Sequence, residues 1–170
     1  MFLSLIDSSD PIDFLINEHD AVMKQLNLLS DAVNTVRRTG YSFRGYEKIV
    51  ESVRLLSVEV IEHNRKEEKY LFPLLERHTR ASLYQMRKEH RELLSVFDQA
   101  LRSAQTISEE ERPGRSISEL TDVSLELIYL LGEHVAHEGN MIFPLAKQVL
   151  SREEYGQFRD GIMSSVIHDG

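Results

Sequence analysis

Cysteine and tryptophan are absent from this chain. Without thiols there are no disulfides, no thiolate zinc or iron–sulfur ligation and no thiol nucleophile, and a reducing compartment is permitted without being required. Proline and glycine are sparse, 4 and 8 in 170 residues, so few breaks interrupt regular structure. No apolar run approaches the length of a membrane span, and the opening Met1-Phe-Leu-Ser-Leu-Ile6 is too short and uncharged for a signal peptide. The expected location is therefore the cytoplasm, with no membrane partner. Basic excess is missing too: 20 Lys plus Arg face 28 Asp plus Glu, a formal charge of -8. That removes the electrostatic footprint of a nucleic-acid binder and leaves small molecules, metals or proteins as partners. What is present is 41% hydrophobic residues, enough for one domain over residues 1–170 with a core of its own.

Apolar residues recur at three- and four-residue intervals rather than alternating, the pattern of an all-α protein. Asp10 then Pro11 reads as a cap and a first helical residue. They open a helix that carries Phe14, Leu15, Val22, Leu26, Leu29 and Val33 to Arg38, before a break at Gly40 to Gly45. A second helix is expected from Tyr46 to Arg77, ending near His78-Thr79, and Thr79 is placed to cap a third that reaches Thr106. Ser108 to Gly114 is the clearest loop. Ser116 with Glu119 has capping-box spacing for a fourth helix to Leu150, and Ser151 with Glu154 repeats it for a short fifth, about 151–167. The expected architecture is an up-down-up-down antiparallel four-helix bundle, about residues 10–150, with a short C-terminal helix appended. A stripe of Tyr155, Phe158, Ile162, Met163 and Val166 on that fifth helix suits either the end of the bundle or a second subunit in a homodimer.

An internal repeat carries the most information. With an offset of 71, Glu18-His19 falls on Glu89-His90, Glu62-His63 on Glu133-His134, Glu67 on Glu138, and Phe72-Pro73-Leu74 on Phe143-Pro144-Leu145. Each half is one helix bearing a His followed, 44 residues on, by one bearing His-x-x-x-Glu. Residues at equal height on adjacent antiparallel helices are equidistant from the turn that joins them. The midpoint of His19 and His63 is residue 41, that of His90 and His134 is Arg112, and that of Glu67 and His90 falls at His78 to Thr79, each inside an expected break. All six residues are thus expected in one layer.

Positions i and i+4 share a helix face, so His63 with Glu67 and His134 with Glu138 each aim an imidazole and a carboxylate at one point. Four imidazoles and two carboxylates suit iron, zinc or manganese rather than calcium, and the two negative charges suit two cations bridged by both Glu. With a bridging oxide or hydroxide added to two His and two Glu per ion, about one octahedral position stays open for a small diatomic ligand.

These residues, His19, His63-x-x-x-Glu67, His90 and His134-x-x-x-Glu138, with Leu71-Phe72-Pro73 and Ile142-Phe143-Pro144 after each Glu, resemble the hemerythrin-like HHE cation-binding domain over about Asp10 to Leu150. The resemblance implies a four-helix bundle around a non-haem di-iron centre: two iron ions with an oxo or hydroxo bridge, zinc or manganese being the alternatives. It implies His19, His63, His90 and His134 as terminal ligands, with Glu67 and Glu138 as bridges. It also implies binding of, or reaction with, oxygen, nitric oxide or peroxide in sensing, storage or a stress response. Repair of or iron delivery to damaged iron centres, and a structural metal in an interaction module, are the alternative functions. The oxygen carriers of that family have a further His four residues after the third-helix His, where this chain has Leu94, with Met23 as its repeat mate. The ligand set is similar to the four-His, two-Glu type of the iron-centre repair proteins, though without their Cys-bearing N-terminal extension. No residue reads as a dedicated general acid, base or nucleophile, so enzymatic turnover stays open.

The neighbouring residues have plainer readings. His137, whose repeat mate is Lys66, belongs at the surface or behind the ligands. Glu18, Glu62, Glu89 and Glu133 sit about 100° around the helix from the His each precedes, so the functional role open to them is to accept an N–H from a His on an adjacent helix. Glu68, opposite Gly139 in the repeat, is expected to be solvated surface. Core packing is expected for Tyr70, Met141, Tyr84 and Tyr129, close helix approach for Gly139, and kinks at Pro73 and Pro144. His78 belongs to a helix end and His168 to a disordered tail.

Overall fold

The computed structural model describes residues 10–79, 81–108 and 114–168, and the regular structure among them is helical throughout. Helix α1 spans Pro11–Thr39, α2 Phe43–Lys66, α3 Phe72–Leu75, α4 Ala81–Ser108, α5 Gly114–His137, α6 Phe143–Val149 and α7 Arg152–His168. Two π-turns, Glu67–Leu71 and Glu138–Ile142, join α2 to α3 and α5 to α6. α1 packs along α2 and α5, and α4 along the same two, which is the expected antiparallel four-helix bundle.

Local chemistry sets most of the boundaries. The Asp10 carboxylate accepts from the N–H groups of Ile12 at 2.8 Å and Asp13 at 3.3 Å, and Pro11 follows where no N–H is needed. α1 stops at Gly40, whose φ of 84° disfavours any side chain. The second helix opens at Phe43 rather than Tyr46, because the Ser42 hydroxyl caps it by accepting from Gly45 N–H at 3.1 Å. Gly45 lies inside that first turn pressed against α1: a Cβ there would stand 2.6 Å from Val36 Cγ2.

Neither long helix of the His-x-x-x-Glu type is continuous. The expected kinks at Pro73 and Pro144 are instead preceded by π-turns in which Phe72 N–H bonds to the Glu67 carbonyl and Phe143 N–H to that of Glu138. Each proline then lies in the first turn of the next helical segment, the position where a helix tolerates a missing N–H. The second helical segment ends at Leu75 and turns at residues 76–78, short of Arg77. The fourth helix opens at Gly114, so Ser116 is enclosed in its first turn rather than capping it, and Glu119 pairs with Arg115. The Ser108 to Gly114 loop falls largely on residues 109–113, and the expected Thr79 cap adjoins residue 80; residues 80 and 109–113 lie outside the described residues.

The capping box of α7 is complete: Glu154 N–H donates to Ser151 Oγ at 3.2 Å, and Ser151 N–H to the Glu154 carboxylate at 2.9 Å. Its apolar stripe packs on the end of the chain's own bundle. Phe158 and Ile162 are fully buried with Leu71, Phe72, Leu75 and Phe143. The helix continues through His168 where a disordered tail was expected; the side chains of Val166 and His168 lie outside the described residues. His78 and Arg77 meet the Glu154 carboxylate at 3.2 and 3.3 Å, and the Tyr155 hydroxyl donates to Asp10 at 2.6 Å. Asp10 therefore caps α1 and ties α7 to it. Asp10→Ala should lower stability by about 2 kcal/mol in denaturant unfolding, roughly half from the cap and half from the tyrosine bond.

The core has two parts. Val22, Leu26, Val60, Leu93 and Leu131 belong to one apolar cluster, and Leu15, Leu71, Met86, Ile142 and Phe143 to a second. On every helix of the bundle the gap between the two clusters falls at the histidine.

Candidate metal centre

Into that gap α1 sends His19, α2 His63, α4 His90 and α5 His134, and each π-turn contributes its first residue, Glu67 or Glu138. The histidines are nearly enclosed and both carboxylates are wholly so. Glu138 spans the layer: its Oε2 lies 2.8 Å from His19 Nε2 and 3.7 Å from His63 Nε2, its Oε1 3.2 Å from His134 Nε2 and 3.5 Å from His90 Nε2. Glu67 spans it from the other side, with Oε1 3.6 Å from His63 Nε2 and Oε2 3.5 Å from His90 Nε2. All six residues expected in one layer thus converge, two histidines facing each oxygen of Glu138 and one facing each oxygen of Glu67.

The donor atoms are short of partners. Both oxygens of Glu67 and Glu138, and Nε2 of His90 and His134, are buried without a hydrogen bond, an arrangement whose desolvation cost needs a compensating cation. Two donors ~2.1 Å from one ion stand ~3.0 Å apart at a right angle, and the separation of His19 Nε2 from His63 Nε2 is 3.0 Å. His19, His63 and Glu138 form one group able to hold a metal ion, and His90, His134 and Glu138 a second.

Protons compensate the same charges. Burial opposes charge on His90, yet Glu138 and Glu67 raise its pKa to about 10. His63 is likewise held well above its ordinary value, burial being outweighed by the Glu67 carboxylate and by contacts with Glu138 and Glu18. Burial would raise the Glu138 carboxyl, but the His134 charge and contacts from His19, His63 and His90 hold it well below the carboxylate range.

Behind the ring, three carboxylates accept from the outward nitrogens. Glu18 meets His63 Nδ1 at 3.0 Å, Glu89 meets His134 Nδ1 at 3.2 Å, and Glu68 meets His90 Nδ1 at 2.7 Å. Two of the four glutamates that precede a histidine take the role open to them; Glu62 pairs with Arg65 at the surface and Glu133 is exposed. Lys66 holds Glu18, and its repeat mate His137 holds Glu89 through Nδ1 at 3.0 Å, so His137 stands behind His134. Hydrogen bonds from His134, Gln85 and His137 outweigh burial and lower the Glu89 carboxyl to about 2.

Glu68 is exposed, as expected, but it does more than face solvent. Its exposed flank faces water while one oxygen reaches His90 on the neighbouring helix. A signal was present, since the midpoint of Glu68 and His90 is residue 79, the same turn that placed Glu67 opposite His90. Gly139 is no close-approach glycine, because a Cβ there would meet nothing within 4 Å. Tyr84 and Tyr129 are 71% and 66% exposed, and Met141 is exposed as well, so three of the four residues expected in the core are outside it. Tyr70 is half-buried, against the second cluster and over Gly161 of α7.

Residues 10–149 match the family model described as the hemerythrin HHE cation binding domain. No curated protein matches the chain.

Proposed function

From the premise that this chain belongs to the hemerythrin HHE cation-binding domain family, we propose that it is a non-haem di-iron protein whose centre binds or reacts with oxygen, nitric oxide or peroxide. The observation that carries the reading is the pair of fully buried carboxylates: Glu138 offers one oxygen to His19 and His63 and the other to His90 and His134, and Glu67 offers one to His63 and one to His90. His19 and His63 would hold one ion and His90 and His134 the other, with both glutamates shared. Mixed imidazole and carboxylate donors suit iron, and four protein donors leave about two positions of an octahedron for other ligands.

When bound, the two ions supply Lewis acidity and redox chemistry. The chain supplies the rest. Glu18, Glu68 and Glu89 hold the Nδ1 protons of His63, His90 and His134, which turns each Nε2 lone pair inward and makes it more basic. The apolar clusters above and below exclude bulk water and strengthen every electrostatic contact in the layer. A surface cleft of about 410 Å³ lies beside the layer, with Asn64, Glu68, His90 and Leu94 among its lining residues. Among the described residues no helix is long and apolar enough to cross a membrane.

The test is anaerobic loading with ferrous iron, elemental analysis, and optical spectra before and after oxygen, peroxide and nitric oxide. About two irons per chain and a new charge-transfer band on ligand addition are expected. Two irons whose spectrum no added ligand perturbs would indicate a closed, structural site instead.

A further inference from the structure

The repeat is broken at one place beside the centre. Glu68 orients His90 through Nδ1, but its repeat mate is Gly139, so His19, the mate of His90, has no such carboxylate among the described residues. The space beside Gly139 is open. The second pair of outer glutamates is unequal too: Glu18, behind His63, is tied to the cation Lys66, whereas Glu89, behind His134, shares its charge with the imidazole of His137. Inside the layer the same side differs again. His19 Nε2 and His63 Nε2 lie within hydrogen-bonding distance of each other, while Nε2 of His90 and of His134 makes no hydrogen bond and meets only carboxylate oxygens at 3.2 to 3.5 Å.

A carboxylate on Nδ1 fixes the ring and raises the basicity of the inward nitrogen, and losing such an outer partner typically costs about 10- to 100-fold in metal affinity. One half of the site has two histidines held in this way and the other has one. Occupying the poorer half must also replace a hydrogen bond its imidazoles already make.

We propose that the centre is unequal by construction. The half built on His90 and His134 holds its divalent cation more tightly, the half built on His19 and His63 fills last and exchanges first, and Glu68 is the positioning residue that sets the difference. This rests on the two-cation reading above.

The experiment is anaerobic titration of the full chain with ferrous iron against a chromophoric chelator, for the wild type, Glu68→Ala, Glu68→Gln and Gly139→Glu. Two binding steps separated by about tenfold or more are expected in the wild type. Glu68→Ala should weaken the tighter step by about 10- to 100-fold and leave the weaker one in place, so that the two converge. Glu68→Gln keeps an acceptor for the neutral ring and should recover part of the loss. Gly139→Glu, entering open space on an exposed helix face, should tighten the weaker step. Glu68 and Gly139 both border solvent, and circular dichroism confirms that the variants fold. Equal steps in the wild type, or a wild-type separation that persists in either Glu68→Ala or Gly139→Glu, overturn the proposal while leaving the di-iron reading intact. Fewer than two irons bound by the wild type defeats that reading and the asymmetry with it.

Discussion

Glu138→Ala is expected to leave iron-loaded protein with almost no metal after desalting, measured by elemental analysis against a wild type loaded in parallel. The reason is geometric: this one carboxylate lies against all four imidazoles, at 2.8 to 3.7 Å, so both halves of the site lose a donor at once. Each half should weaken by more than the ~100-fold that removal of an outer partner alone costs. Glu67 reaches only His63 and His90, at 3.6 and 3.5 Å, so Glu67→Ala should be the milder of the two. His63→Ala removes a single terminal donor and should deplete one half first. His78 pairs with Glu154 at the end of the bundle, and His78→Ala should retain full metal content. A Glu138→Ala protein that still carries two ions would refute the shared-carboxylate layer.

Stripping the metal should lower the melting temperature on the order of 10 °C near neutral pH. A ligand present at ~1,000 times its dissociation constant stabilises the native state by ~4 kcal/mol, and ~1 kcal/mol moves a domain of this size by ~2–4 °C. The size of the shift should depend on pH in a defined direction. In the metal-free protein His90 has its pKa raised to about 10, so its contribution to stability is fully present below the unfolded value of about 6.5 and is lost as pH rises through about 10. Glu138, held low, acts in the opposite sense: its contribution is present above the ordinary carboxylate value and is lost on acidification. Metal-free protein should therefore be most stable between about pH 4.5 and 6.5 and weaken toward pH 9. Metal must displace protons from the same imidazoles, so its affinity rises with pH, by about tenfold per pH unit for each proton released. The difference in melting temperature between loaded and stripped protein should accordingly widen from pH 6 to pH 9. A difference that shrinks over that range would mean that the imidazoles are not the groups the metal displaces.

The limits of the sequence reading have identifiable causes. Glu68 was judged against Gly139, its mate on the other half, when its partner is on the neighbouring helix; a repeat compares halves with each other and is silent about contacts between them. Tyr84 and Tyr129 sit beside core positions in the sequence, but one residue turns the helix by about 100°. With Leu83, Met86 and His90 facing inward, Tyr84 faces out, and with Leu127, Leu131 and His134 inward, so does Tyr129. Pro73 and Pro144 correctly announced an irregularity beyond Glu67 and Glu138. Proline alone does not choose between a kink and a widened turn, and the hydrogen bonds from Phe72 and Phe143 back to those glutamates made the choice.

The sequence by itself determined the helical class, the C-terminal capping box, and which six side chains share a level. In an antiparallel bundle a fixed rise per residue turns distance along the chain into height, so equal spacings about three turns suffice to build the layer. Tertiary structure alone decided what happens around the axis: which helices are neighbours, which outer carboxylate reaches which ring, and that α7 closes the bundle's own end. Those outcomes depend on rotation and lateral packing, and the spacing of residues along a chain carries height without carrying azimuth.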